Sequence, residues 1–119
     1  MPQAHAFRSI QVRMMESRGT LTRGEFKKYG PVTILKSPAG YYLGTNYHAE
    51  GGAIHPGSRD TKYFGSTEEA SVAMENYKDI VTYMVKARIA LESGDQGEWE
   101  SIMDTVDKII NEIGLRLEP

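Results

Sequence analysis

Two runs of helical periodicity, each opened by a capping signal and separated by only three residues, constrain this chain more than any other feature. Ser66 and Glu69 have the S-x-x-E spacing of a capping box, and Glu68 and Glu69 fall in the first turn, where the helix dipole favours acids. Ala70, Met74, Tyr77, Val81 and Met84 then recur at steps of four and three, with Leu91 continuing the stripe, so a helix is predicted to about Glu92. Ser93-Gly94-Asp95 breaks it, and Asp95 with Glu98 repeats the N-cap pattern. Trp99, Ile102, Val106, Ile109 and Ile113 carry the second stripe. Two long amphipathic helices joined by so short a turn must run antiparallel and pack stripe on stripe. Ile80, Val85 and Ile89 on the first, and Met103 and Ile110 on the second, lie off those stripes. That excess apolar width predicts a further partner, either the rest of the chain or a second copy.

The preceding residues read as a mixed segment. Phe7, Ile10 and Met14 have helical spacing while Ile10, Val12 and Met14 also alternate, so residues 4–17 are ambiguous, with helix the preferred reading. Thr22 and Glu25 form a second capping box, for a short helix ending near Tyr29 before Gly30-Pro31. Val32 to Lys36, the turn Ser37-Pro38-Ala39-Gly40 and Tyr41 to Asn46 predict a hairpin burying Val32, Ile34, Tyr41 and Leu43 on one face. After the glycine-rich loop 49–53 the pattern predicts a short extended piece at Ile54-His55, a turn at Pro56-Gly57-Ser58 and a third strand ending at Lys62-Tyr63-Phe64-Gly65. The expected fold class is α+β: a small antiparallel sheet of about three strands, an N-terminal helix and the helical hairpin. The chain, 119 residues long, is read as one domain, residues 1–65 being the mixed part and 66–119 the hairpin.

Charge is segregated along it. Residues 1–36 hold seven bases and two acids, a balance of +5, whereas residues 66–119 hold five bases and twelve acids, a balance of −7. Such asymmetry suits an anionic ligand at the basic end or copies meeting basic part to acidic part; the plainer alternative is solvated helix faces. The absence of cysteine excludes disulfides, thiolate metal sites and cysteine nucleophiles. No stretch approaches the ~20 apolar residues of a membrane span, and the first eight residues do not read as a signal peptide, so the expected location is cytoplasmic.

The run from His55 to Ala70 offers the most distinctive chemistry. Ser58 and the adjoining backbone N–H groups can donate to an anion, Arg59 can fork onto a phosphate or carboxylate, and Tyr63 or Phe64 can stack on a base. The alternative is a hairpin turn in which Arg59 pairs with Asp60 or a nearby helix acid and Phe64 is core. His48, Glu50 and His55 are near enough in sequence to suggest a metal, but match no regular ligand spacing, and none is expected. A Ser58–His55–Asp60 hydrolase lacks a nucleophile-elbow context, and no catalytic residue is assigned. A helix, three strands and a helix is also the order of a double-stranded RNA-binding domain, with Arg8, Arg13, Arg18, Arg23, Lys27 and Lys28 as phosphate partners, but the acidic hairpin opposes a polyanion. Trp99, at helical spacing with Ile102 and Val106, reads as core.

The runs Gly40-Tyr41-Tyr42-Leu43-Gly44-Thr45, Ser58-Arg59-Asp60, Tyr63-Phe64 and Glu68-Glu69-Ala70 resemble small accessory proteins of bacteriophages. Among such counter-defence factors, the Thoeris anti-defence proteins are similar in size and in joining a sheet to C-terminal helices. Those proteins sequester cyclic nucleotide signals in pockets between subunits. The resemblance implies a non-enzymatic protein of the host cytoplasm that sequesters a small anionic or cyclic nucleotide without a cofactor, and the wide apolar faces of the C-terminal helices add the expectation of a homo-oligomer joined through them. The resemblance carries only Arg59 over to phosphate binding; by their own chemistry an N-terminal arginine such as Arg23 would join it, Ser58 would donate, and Tyr63 or Tyr42 would stack. The second expectation is an inhibitor or adaptor acting on a host protein, with the acidic hairpin imitating nucleic acid; a nucleic-acid-binding module is the third.

Overall fold

A computed structural model describes residues 8–117. The order is α1 (Ile10–Ser17), α2 (Arg23–Phe26), β1 (Thr33–Ser37), β2 (Gly40–His48), β3 (Ile54–Arg59), α3 (Thr67–Glu92) and α4 (Gln96–Ile113). The ambiguous N-terminal segment is helical from Ile10, because the Ser9 hydroxyl accepts the Val12 N–H at 2.9 Å and caps the first turn. Phe7 lies outside the described residues. Thr22 and Glu25 close the predicted capping box around a shorter helix than expected, α2 ending at Phe26.

The sheet is antiparallel in the order β1-β2-β3. Ile34 pairs with Leu43 and Thr45 with Ser58 on one face, while Leu35 pairs with Tyr42 and Gly44 with Arg59 on the other. Val32 and Leu43 are buried in the core, with Ile34 and Tyr41 packed against it, as the alternation predicted. The third strand departs from expectation. Pro56-Gly57-Ser58 is no turn but lies within β3, and Tyr63-Phe64 is no strand, Phe64 making only an isolated bridge to Tyr41. The reason is position: β3 is an edge strand, where a missing proline N–H is tolerated, and the register slips between Thr45 and Asn46 to accommodate an extra residue opposite them. Gly57 meets that irregularity under Tyr29, whose ring would lie 2.8 Å from an added Cβ.

Both long helices begin where predicted. The Glu69 N–H donates to the Ser66 hydroxyl at 3.1 Å and the Glu98 N–H to the Asp95 carboxylate at 3.0 Å. They pack against one another as an antiparallel hairpin, and the long dimension of the molecule, 49 Å, reflects a 26-residue α3. The buried stripe of α3 differs from the one read in the sequence: Ala70, Ala73, Tyr77, Ile80, Ala87 and Ala90 are buried, whereas Met84 and Leu91 are exposed. Small residues are selected on that line because α4 comes close there, a preference that large-residue periodicity does not register. On α4, Ile102, Val106 and Ile113 are buried and Trp99, Met103, Ile109 and Ile110 pack against the core, so the apparent excess width of α4 is used internally. Gly114 ends α4 in the left-handed conformation, φ 61° and ψ 45°. The tail then returns alongside the residues after β3, the Arg116 N–H donating to the Asp60 carbonyl at 2.6 Å and the Lys62 N–H to that of Ile113 at 3.3 Å.

Candidate functional site

Residues 58–63 divide between two environments, Asp60 and Thr61 being buried and Lys62 and Tyr63 exposed. Asp60 points inward and is fully buried. Its carboxylate accepts from the Ser58 hydroxyl at 2.8 Å, from the Tyr77 hydroxyl at 3.4 Å and from the Ser9 hydroxyl. Each donor is itself held: Tyr77 accepts the Ile10 N–H at 2.7 Å, and the Ser58 oxygen lies 2.7 Å from that of Thr45. One carboxylate thus ties the cap of α1 to β2, β3 and α3. Burial pushes Asp60 up to about 6 despite three hydroxyl donors and the nearby positive charge of Arg116. The same burial, with the Asp60 charge, raises the Tyr77 phenol above its ordinary value. No water-exposed atom of Asp60 is available to a substrate, so the network is architecture.

Arg59 points the other way. Its Nη1 donates to the Thr61 carbonyl at 2.7 Å and its guanidinium lies over the Tyr63 ring, 4.6 Å from the centroid. Tyr63 stands edge-on to Tyr42 at 5.6 Å. Arg116 joins them, its Nη1 donating to the Arg59 carbonyl at 3.2 Å. Among the described residues neither arginine has a carboxylate within ion-pair distance, and Asp60, the partner that the sequence offers, is on the opposite side of the strand. The result is a surface with two guanidinium groups, a half-exposed tyrosine ring and, beneath it, a buried one. Burial raises the Tyr42 phenol, with Tyr63 adding to the effect and Arg59 opposing it, so Tyr42 stays a hydroxyl donor. Such a surface can grip an anion through forked N–H donors and present a π-face to a planar ring.

Of the predicted site residues, Arg59, Tyr63 and Tyr42 therefore come together. Ser58 does not join them, because its hydroxyl is engaged by Thr45 and Asp60. Arg23 begins α2, and no described contact joins it to the cluster. Arg116 was missed: nothing local in Gly-Leu-Arg-Leu marks it, and only the return of the tail brings it across 57 positions to Arg59.

An open depression of about 440 Å³ borders the other side of Tyr63, lined by Lys62, Phe64, Glu69, Asn76 and Glu112 among others. Its two carboxylates make it the wrong end for phosphate. The His55 ring lies tilted against Tyr47 with centroids 5.4 Å apart, and Tyr47 meets Tyr29 edge-on at 5.0 Å. Among the described residues no three His, Asp or Glu side chains converge as a metal would require, and no helix is long and apolar enough to cross a membrane. No protein-family model, curated protein or solved structure matches the chain.

Proposed function

We propose that this protein is a non-enzymatic binder that sequesters a small anionic, nucleotide-like ligand at the Arg59–Tyr63–Tyr42 surface, with Arg116 as a second phosphate partner. The observation that carries the reading is a guanidinium seated on an exposed tyrosine ring, next to a second guanidinium, neither with a carboxylate at ion-pair distance among the described residues. Charge-assisted forks on phosphate and a ring for base stacking are the two elements that nucleotide capture needs. Sequestration requires affinity and stoichiometry alone, which suits a surface where the carboxyl of Asp60 is sealed from solvent. In the phage counter-defence setting implied by the resemblance of residues 40–70, the protein acts in the host cytoplasm as an oligomer joined through its C-terminal helices, the ligand being a cyclic nucleotide signal.

Thermal shift with a panel of cyclic dinucleotides and cyclic ADP-ribose, followed by mass spectrometry of ligand released on denaturation, tests this. A ligand at one hundred times its Kd stabilises the fold by about 2.7 kcal/mol. The expected result is a shift that disappears in Arg59→Ala and Arg116→Ala, with the ligand recovered intact. No shift with any member, or recovery of a cleaved product, overturns it. A second reading, inhibition of a host protein, has its own support in the exposed apolar residues Met84, Val85, Ile89 and Leu91 on the hairpin. Co-purification of a single host protein that is lost on changing those residues would favour it.

A further inference from the structure

In the distal half of α3, beyond Tyr77, a line of residues beside the buried stripe is mostly exposed. Lys78, Val81, Val85, Arg88 and Glu92 follow one another at steps of three and four, so they form one line along the helix. Met84 and Ile89 flank that line, and Met84, Val85 and Ile89 are 45%, 47% and 56% exposed. Ile80, Ala87 and Ala90, by contrast, are buried, and Ile89 borders the depression that opens toward Ser101 and Thr105 of α4.

The order of charges on the line says what covers it. Lys78 lies seven residues before Val85 and Glu92 seven residues after it. A two-fold axis through Val85 sets residue 85 − n against residue 85 + n of a second helix running the opposite way. Val85 then meets its own copy, Val81 meets Ile89, and Lys78 meets Glu92 at both ends. Arg88 lies one turn before Glu92, so its aliphatic stem adds cover while its head reaches the same acidic end. A pattern of cation, apolar centre and anion, symmetric in distance and opposite in charge, is self-complementary only in the antiparallel sense. In the single chain Lys78 makes merely an exposed ion pair with Glu75 at 3.4 Å, which competes weakly.

We propose that the distal half of α3 is an isologous interface, on which a second copy of this chain packs antiparallel about Val85. This deepens the assembly part of the functional proposal; it uses no residue of the Arg59 surface, so the two fail separately.

The test is the native mass by light scattering and sedimentation at roughly 100 µM, since one helix per copy sits at the weak end of interface sizes. The expected result is a dimer, with Val85→Glu monomeric at an unchanged melting temperature of the monomeric fold in far-ultraviolet dichroism. Lys78→Glu should weaken dimerisation about tenfold, because both symmetric end pairs become repulsive, and Lys78→Glu with Glu92→Lys should restore it. A native chain that is monomeric, a dimer indifferent to Val85→Glu, or a double exchange as weak as the single one each overturns the proposal. The ligand shift in Arg59-intact chains reports on the other reading independently.

Discussion

Replacing Asp60 by asparagine should flatten one component of the pH dependence of stability while leaving the fold intact. In the folded chain this carboxyl is pushed up to about 6 by burial, against 3.8 when unperturbed. Between those values the folded state binds more protons at this site than the unfolded state, so stability falls as pH rises through the window and levels off above the folded value. The difference of about two units corresponds to about 3 kcal/mol lost between pH 4 and pH 7.5. For a chain of this length that is a Tm change of roughly 10 °C. Asparagine does not titrate, and the Ser58 and Tyr77 hydroxyls can reorient to serve its amide; any cost of that rearrangement is the same at every pH. Chemical denaturation of both proteins from pH 4 to pH 7.5 therefore isolates the effect, because the other carboxylates cancel in the difference. The stability advantage of the native chain over Asp60→Asn should shrink by about 3 kcal/mol as pH rises. Parallel profiles would refute the reasoning, and an advantage that grows with pH would mean that the three hydroxyl donors outweigh burial.

Other positions report on packing. Gly44→Ala should destabilise by about 1–3 kcal/mol in urea denaturation, because the new methyl falls on the Ser58 carbonyl oxygen across the β2–β3 pair; a neutral result would mean that β3 can shift as an edge strand. Ile110→Lys should unfold the chain or lower its Tm sharply rather than leave a folded monomer, since Ile110 packs against the core. Asp95→Ala should cost about 1 kcal/mol, read as a lower Tm, by removing the cap on the Glu98 N–H. Tyr63→Ala should leave stability nearly unchanged and weaken nucleotide binding in calorimetry by about 1–3 kcal/mol if a base stacks there.

Local signals were legible wherever a few neighbouring residues decide the outcome. The caps at Ser66, Asp95 and Thr22 are hydrogen bonds between a side chain and a backbone N–H three positions on, and the hairpin at 37–40 follows from its proline and glycine. Strand alternation likewise identified Val32, Ile34, Tyr41 and Leu43 as the side turned to the core.

What the sequence determined by itself is therefore the α+β class, the helical hairpin and the inward face of its first two strands. Tertiary structure alone decided that Pro56 could stay in a strand, because that depends on β3 being at the edge. It also decided that Ala87 and Ala90, rather than Met84 and Leu91, face α4, because close approach of two helices selects small side chains. The same holds for Arg59 and Asp60. Adjacent opposite charges suggest a pair, but a strand sends neighbours to opposite faces, so one became the buried tie of four elements and the other, joined by Arg116 from the far end of the chain, a surface cation with no carboxylate at ion-pair distance among the described residues.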